Sequence, residues 1–317
     1  MIVVTGGAGF IGYNLVKRLI ENGHKNIVVV DNNISRIVSR GHRDITYLSV
    51  EDSYMWLGFN GNAIKMVYHL GARTDTMEID EKIFKHLNTN YSKFIWELCT
   101  DFKIPLIYAS SAAVYGEGVL GFDEDLMEER LMPLNAYGWS KLNFDEWVLH
   151  EERTPPHWFG FRFFNVYGQH EDHKGRMTSV VWHLYNQIME TGEARLFKSH
   201  RDDYLHGHQM RDFIHVDDVV NLMLLTHDIR HAMSSGTYNL GTGKARIYND
   251  LAQAIFKSLD KPVDIRYIDT PEEIRDSYQY FTEADMNKLM EAIGGYEFLS
   301  LEKGIEIYIK QLQNENR

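Results

Sequence analysis

The sequence has a single cysteine and fewer basic than acidic residues. Its one cysteine, Cys99, excludes an internal disulfide and a cysteine-built zinc site, and fits a small apolar position on a helix. The 33 Lys and Arg against 45 Asp and Glu leave a net charge of -12, which is unsuited to binding nucleic acid or an anionic membrane surface. We therefore expect a protein of a reducing compartment with no nucleic-acid partner.

A targeting segment and a long apolar run are also missing. No apolar stretch approaches the roughly 20 residues of a membrane span, and no basic, apolar and small-residue succession opens the chain. The 317 residues are 44% hydrophobic, which is enough to bury a large core. These features predict a globular cytoplasmic protein that does not contact the membrane.

Apolar runs alternate with amphipathic stretches along the first half of the chain. The run IVV leads into TGGAGFIG, then a helical stretch at 13–21 and a second run, IVVV, before Asp31. The alternation continues through PLIYASS at 105–111 and FGFRFFNVYG at 159–168, which we interpret as one further buried strand. Strands that are apolar on both faces and separated by helices predict an α/β fold with a doubly wound parallel sheet of Rossmann type.

The alternation weakens after residue 168 and then returns, which predicts two interleaved domains. The larger comprises residues 1–168 with a return at about 212–242, where DFIHVDDVVNLMLL and TYNLG stand. The smaller, a C-terminal substrate domain, comprises 169–211 and 243–317.

Three glycines lie between the first strand and its helix. Gly6, Gly9 and Gly12 form a G-x-x-G-x-x-G pattern. Backbone amides and the start of a helix at such a turn can hold a pyrophosphate, so the context predicts a dinucleotide site. The alternative is a tight turn that serves only helix packing.

The residues at the end of the second strand bear on the choice of dinucleotide. Asp31 can accept hydrogen bonds from both adenosine ribose hydroxyls, which favours NAD. Asn32 follows it, and Arg36 and Arg40 lie in the next loop, where a guanidinium can pair with a 2'-phosphate. The sequence leaves the two nearly even; we expect NADP, with NAD as the alternative.

A tyrosine and a lysine share one face of a later helix. Tyr137 and Lys141, in YGWSK, are four residues apart, and Ser111 ends a buried strand at the edge where such sheets bind ligands. A nearby ammonium and an oxidised nicotinamide ring favour the tyrosinate and lower the tyrosine pKa. We therefore expect Tyr137 to be a general base and Ser111 to bond the reacting oxygen.

With these residues in view, the chain resembles the extended short-chain dehydrogenase/reductase family, the NAD(P)-dependent nucleotide-sugar epimerases and dehydratases. The matching motifs are TGGAGFIG, HLGA, SSAAVYG, YGWSK, RFFNVYG, RDFIHVDDV and YNLGTG. The resemblance implies a catalytic triad of Ser111, Tyr137 and Lys141, and a homo-oligomer. It also implies cofactor contacts from Phe10, Ile11, Leu70, Gly71, Ala72, Asn88, Val166, Tyr137 and Lys141.

Within the family, the stretches HKGRMTSVVWHL and SYQYFTEADMNKL resemble a branch that epimerises an ADP-linked heptose. That branch implies Lys174 as a second acid/base, although an isolated lysine here would be a solvated loop residue. It implies substrate contacts from Ser111, Asn165, His183, Phe197, Arg211 and Tyr278. Ala112 and Ala113 replace the Asp-Glu pair of the dehydratases, so dehydration is disfavoured.

Other functions stay open at this point. One is a 4-epimerase or reductase acting on a UDP-, GDP- or dTDP-sugar, and another is a cofactor-sensing scaffold without chemistry. The loop 198–210 is longer than the family's and contains His200, His206 and His208. We interpret it as a solvated lid that becomes ordered over the substrate, and we expect no metal.

Overall fold

The computed structural model describes residues 1–33, 45–126, 128–275 and 278–315. Its strands are β1 Ile2–Thr5, β2 Ile27–Val30, β3 Ile45–Leu48, β4 Met66–His69, β5 Leu106–Ser111, β6 Trp158–Phe163, β7 Asn165–Tyr167, β8 Ala194–Phe197, β9 Met210–His215, β10 Gly236–Leu240, β11 Ala245–Ile247 and β12 Ile265–Ile268. Its α-helices are α1 Phe10–Glu21, α2 Val50–Asn60, α3 Glu81–Phe84, α4 Tyr91–Asp101, α5 Ala136–Leu149, α6 Val180–Thr191, α7 Val216–Ile229, α8 Tyr248–Ser258, α9 Glu272–Arg275, α10 Asn287–Ile293 and α11 Leu301–Glu315. None of these described helices has the length and apolar character needed to cross a membrane.

A seven-stranded parallel sheet forms the centre of the molecule and confirms the predicted fold class. Its strand order is β10-β6-β5-β4-β1-β2-β3. Strands β1, β2 and β4 are buried at every position because helices cover both faces of the sheet. The chain runs outward from β1 through β2 to β3 and then returns to place β4 on the other side of β1. Ligands of open α/β sheets bind at this reversal, beyond the carboxyl ends of the strands.

The stretch 159–168 is not one strand, as the sequence suggested, but two. β6 ends at Phe163 in the large sheet, and β7 begins at Asn165 in a three-stranded sheet of order β11-β9-β7. Between them, the Phe164 N–H donates to the carbonyl of Leu240 at 3.1 Å. The largely apolar sequence could not reveal this division, because side-chain character does not specify which neighbouring strand each peptide group bonds.

A second core lies beneath the small sheets. Tyr167 and Phe213 pack there with the apolar faces of α6, α8 and α11, while β8 pairs with β12 in a two-stranded sheet. Helix α7 packs instead against α1 of the large domain, where Arg18 donates to Asn221 at 2.5 Å. The predicted return segment thus contributes β10 and α7 to the large domain and β9 to the three-stranded sheet. The exact domain boundaries stay a prediction.

Candidate active site

A cleft of about 1130 Å³ opens at the carboxyl ends of the central strands. This volume exceeds the roughly 300–1,000 Å³ of ordinary small-molecule pockets and leaves room for two ligands. Most of the predicted site residues line it, namely Gly6, Gly9, Phe10, Ile11, Gly12, Asp31, Asn32, Leu70, Gly71, Ala72, Ser111, Tyr137, Lys141, Asn165, Val166 and Lys174.

The glycine turn has a shape that side chains would destroy. Gly6 has a φ of +66°, and a Cβ there would lie 2.6 Å from the amide nitrogen of Gly71. A Cβ on Gly12 would lie 2.1 Å from the carbonyl oxygen of Gly6. Helix α1 begins after Gly9, which has no side chain to cap the first amides. The residues present therefore fit the pyrophosphate of a dinucleotide.

Thr5, to which no sequence motif pointed, holds the backbone of Gly71 against this turn. Its hydroxyl accepts the N–H of Gly71 at 3.0 Å and bonds the ring of buried His69 at 2.7 Å. The segment Leu70–Ala72 is thereby placed beside Gly6 as one wall of the cleft.

Asp31 and Asn32 are both engaged by backbone groups. The carboxylate of Asp31 accepts the N–H of Ala8 at 3.1 Å and of Asn33 at 3.0 Å. Burial raises its pKa, and these backbone hydrogen bonds oppose the rise. The amide oxygen of Asn32 accepts the N–H of Val50 at the start of α2, at 3.0 Å. Arg36 and Arg40 lie outside the described residues, so the choice between NAD and NADP stays a prediction.

Ser111, Tyr137 and Lys141 meet where β5 ends beside the start of α5. Asn135 caps that helix by accepting the N–H of Gly138 at 2.8 Å, which places Tyr137 in its first turn. The hydroxyls of Ser111 and Tyr137 are hydrogen-bonded to each other. One turn later, the ammonium of Lys141 donates to the carbonyl of Ala109 at 2.8 Å. This arrangement can move a proton at a substrate hydroxyl.

Burial changes the protonation of this group in the protein without its cofactor. Burial raises the pKa of Tyr137, the bond from Ser111 lowers it, and the carboxylate of Asp145 raises it again. The expected fall in the tyrosine pKa depends on an oxidised nicotinamide ring beside the tyrosine, so it stays a prediction for the cofactor-bound enzyme. Burial lowers the pKa of Lys141 to about 8, with Asp145 opposing the change. Lys141 thus stays mostly protonated at neutral pH.

A buried ion pair lies behind α5, the helix that contains Tyr137 and Lys141. Asp145, one turn after Lys141, accepts hydrogen bonds from Arg162 at 3.1 Å and Ser110 at 2.7 Å. Both members of the pair are 0% exposed. The sequence contained one signal for it, since an arginine within the apolar strand FGFRFF needs a buried partner. Asn88, predicted to brace the cofactor, lies behind the cleft and links the backbone of Arg73 to Ser140 of α5.

Lys174 lies in a 3₁₀ turn, Asp172–Met177, that we call the Lys174 turn. Its ammonium is 5.2 Å from the centre of the Phe10 ring, at the start of α1. Burial lowers the pKa of Lys174, and the carboxylate of Glu171 opposes this shift. Since the turn follows β7, it brings Lys174 to the cleft that holds Ser111 and Tyr137.

Four predicted substrate residues lie outside this cleft in the described structure. The ring of Tyr278 contacts Phe197 at a centroid distance of 6.2 Å and lies 5.6 Å from the guanidinium of Arg211. His183 lies near the carbonyl of Arg176, at 3.4 Å. Phe197, Arg211 and Tyr278 thus form a separate cluster beside the small sheets, and the contact roles of all four stay predictions.

The histidine-containing loop after β8 is tied to the C-terminal part of the chain. The ring of His200 accepts the backbone N–H of Thr270 at 3.3 Å, and the backbone N–H of His200 donates to the hydroxyl of Tyr280 at 2.9 Å. His206 accepts the N–H of Ser199 at 3.0 Å. The imidazole rings of His200 and His206 therefore accept hydrogen bonds from backbone groups of the protein. The proposed closure over the substrate stays a prediction, which hydrogen exchange with and without an ADP-sugar would test.

Together, the parallel sheet, the glycine turn and the Ser-Tyr-Lys group define a dinucleotide-dependent enzyme of the short-chain dehydrogenase/reductase type. The model of the NAD dependent epimerase/dehydratase family matches residues 2–241. The chain belongs to this family.

Three similar proteins share one enzyme name. An ADP-L-glycero-D-manno-heptose-6-epimerase of Fusobacterium nucleatum is 43% identical, covering 98% of this chain and 97% of the relative. A protein of the same name from Nitratidesulfovibrio vulgaris is also 43% identical, with the same coverage. The crystal structure of the Helicobacter pylori ADP-L-glycero-D-manno-heptose-6-epimerase matches with a TM-score of 0.81 at 27% identity, covering 98% of this chain and 96% of that one.

A solved structure with bound ligands is similar over the same length. It is a variant of the UDP-glucuronic acid 4-epimerase of Bacillus cereus in complex with a fluorinated UDP-glucuronic acid and NAD. It matches with a TM-score of 0.80 at 25% identity, covering 98% of this chain and 99% of that one.

Proposed function

We propose that this enzyme is an ADP-glycero-manno-heptose 6-epimerase that forms a precursor of the lipopolysaccharide core with tightly bound NADP. The observation that carries the proposal is one cleft lined by Ser111, Tyr137, Lys141 and Lys174 beside the glycine turn. The two relatives at 43% identity, both named ADP-L-glycero-D-manno-heptose-6-epimerase, support the choice of sugar.

Inversion at a carbinol carbon requires removal of a hydride and a proton and their return to the opposite face. The bound nicotinamide supplies the hydride acceptor and donor. Tyr137 removes the hydroxyl proton, and Ser111 donates a hydrogen bond to the developing ketone oxygen. The ammonium of Lys141, one helical turn away, favours the tyrosinate. Electrons balance because the hydride returns to the sugar. The proton that Tyr137 removes is replaced by one from a second donor, and exchange with water carries one proton from the tyrosine to that donor before the next turnover.

Hydride leaves and returns on one side of the cleft, so inversion requires the planar ketone to turn its other face to that side. A second proton donor is then needed. The oxygen then lies on the opposite side of the carbon, beyond hydrogen-bond reach of a fixed Tyr137. Lys174 is the proposed donor at that position. Its lowered pKa favours exchange between ammonium and amine.

Side-by-side assays of ADP-, UDP-, GDP- and dTDP-sugars test this function. We expect epimerisation of ADP-heptose at its 6-position, seen as a changed epimer ratio by NMR. Turnover of another nucleotide sugar would favour the 4-epimerase or reductase alternative. Cofactor binding without any turnover would favour a cofactor-sensing scaffold.

The purified enzyme is expected to bind NADP at least about tenfold more tightly than NAD, or about 1.4 kcal/mol. The reason is the sequence pattern of Asn32, Arg36 and Arg40 after the second strand. Titration of the cofactor-free protein with each nucleotide measures the ratio. Arg36→Gln should weaken NADP binding and leave NAD binding unchanged. A tenfold preference for NAD would contradict the prediction.

We also propose a cytoplasmic location and a homo-oligomer, both from the sequence. Cell fractionation tests the first, and light scattering of the purified protein tests the second.

A further inference from the structure

The base of the Lys174 turn is attached to the protein interior through one buried carboxylate. Glu171 is fully buried. One of its carboxylate oxygens accepts the backbone N–H of Ser179 at 2.6 Å, and the other accepts the hydroxyl of Ser179 at 2.5 Å. Burial raises the pKa of this carboxylate, and the groups of Ser179 and Tyr308 that face it oppose the rise. The carbonyl of Glu171 accepts the N–H of Lys174 at 3.0 Å. Since Glu171 precedes the turn and Ser179 follows it, both ends of the turn meet at one group.

The exposed side of the same turn is attached to the large domain. Arg176 donates to the carboxylate of Asp75 at 2.7 Å, and both residues line the cleft. Asp75 follows β4, whereas Arg176 follows β7, so the pair joins two separate walls of the cleft. The N–H of Met77 orients Asp75 by donating to it at 3.0 Å. The side chain of Arg176 is 63% exposed, so water reaches this contact.

We propose that Glu171 and the Asp75–Arg176 pair are positioning residues for Lys174. Glu171 is the permanent anchor of the turn, and the ion pair is a closure that opens for the nucleotide sugar and then holds Lys174 at the reacting carbon. Exposed ion pairs contribute little to folding stability, so this one can break and re-form within a turnover. The inference rests on the proposed function in assigning the second proton transfer to Lys174.

Chemical labelling of Lys174 in the substrate-free protein tests the closure without an activity assay. Trace acetic anhydride and mass spectrometry compare Lys174 with Lys257, which is exposed on α8. Arg176→Gln and Asp75→Asn should each raise Lys174 labelling about fivefold, and the double variant no further, because the Arg176–Asp75 contact is lost in all three. The longer contact between Arg73 and Asp75, at 3.5 Å, does not involve the Lys174 turn. Unchanged labelling in the single variants, or effects that add in the double variant, would overturn the closure.

A matched ion pair elsewhere supplies the control. Arg153 and Asp101 also meet at 2.7 Å on the surface, with side chains 76% and 58% exposed. Arg153→Gln should leave Lys174 labelling at the parent level. An equal rise there would mean that any lost surface pair loosens the protein, which would overturn the inference.

Glu171→Gln tests the anchor, since it keeps the size of the side chain and removes its charge. It should raise Lys174 labelling, and its effect should add to that of Arg176→Gln because the two act at different ends of the turn. Because the Glu171 charge also raises the pKa of Lys174, Ser179→Ala is tested beside it: this variant keeps the charge, removes a single hydrogen-bond partner and should raise labelling as well, and it stands alone if Glu171→Gln does not fold. Parent-level labelling in the folded variant would overturn the anchor.

Hydride exchange separates positioning of Lys174 from general loosening of the cleft. In a Tyr137→Phe background, Arg176→Gln should lower the remaining exchange about tenfold, because reactions depend steeply on the placement of the acid or base. In a Lys174→Met background, the same change should have less than a twofold effect. Equal losses in both backgrounds would overturn the positioning role. A parent inactive on every ADP-sugar would refute the proposed function, while the labelling result would still decide the contact.

Discussion

Tyr137→Phe and Lys174→Met are each expected to slow epimer interconversion by roughly 10²–10⁴-fold, the usual contribution of a general acid or base. Each variant should still exchange hydride with the one epimer that its surviving group reaches, and the double variant should do neither. The reason is that both groups line one cleft while the substrate oxygen changes sides during inversion. Epimer ratios by NMR and isotope exchange with the cofactor measure the two quantities separately.

Lys257→Met is the matched control for the lysine substitution, because Lys257 is exposed on α8. Its turnover should equal that of the parent. Interconversion by Lys174→Met within a few-fold of the parent rate would contradict the two-base assignment. Tyr137 would then have to serve both faces of a ketone that rotates within the cleft.

Asp145→Ala is expected to lower the free energy of unfolding by about 3–5 kcal/mol, because it leaves a charged arginine buried without its partner. Arg162 is 0% exposed and donates to Asp145 at 3.1 Å. Urea denaturation followed by circular dichroism measures the change. Replacing both residues, as Asp145→Leu with Arg162→Met, should recover part of the loss because no charge then remains buried in the pair.

Asp101→Ala is the control for this prediction, since Asp101 pairs with Arg153 on the surface. Its cost should stay within about 1 kcal/mol, because water solvates the arginine that remains. A cost for Asp145→Ala as small as that of Asp101→Ala would mean that Arg162 finds compensation from Glu128, its neighbour at 3.4 Å.

Much of the candidate site followed from local sequence patterns. The turn at Gly6, Gly9 and Gly12 could be placed because it lies between a strand and a helix that periodicity reveals. Tyr137 and Lys141 could be paired because four residues make about one turn of helix. The pKa of Tyr137 could not be derived in this way, since it depends on burial by distant segments.

The sequence by itself determined the fold class, the alternation of strands and helices along the first half of the chain, and the residues at the ends of β1 and β5. These features depend on near neighbours, whose spacing sets helix or strand periodicity. Only the tertiary structure decided that the run around Phe164 divides between two sheets, that Asp145 meets Arg162, and that Asp75 meets Arg176. Asp75 and Arg176 are 101 residues apart, and a contact at that separation depends on how whole elements pack, which no local pattern records.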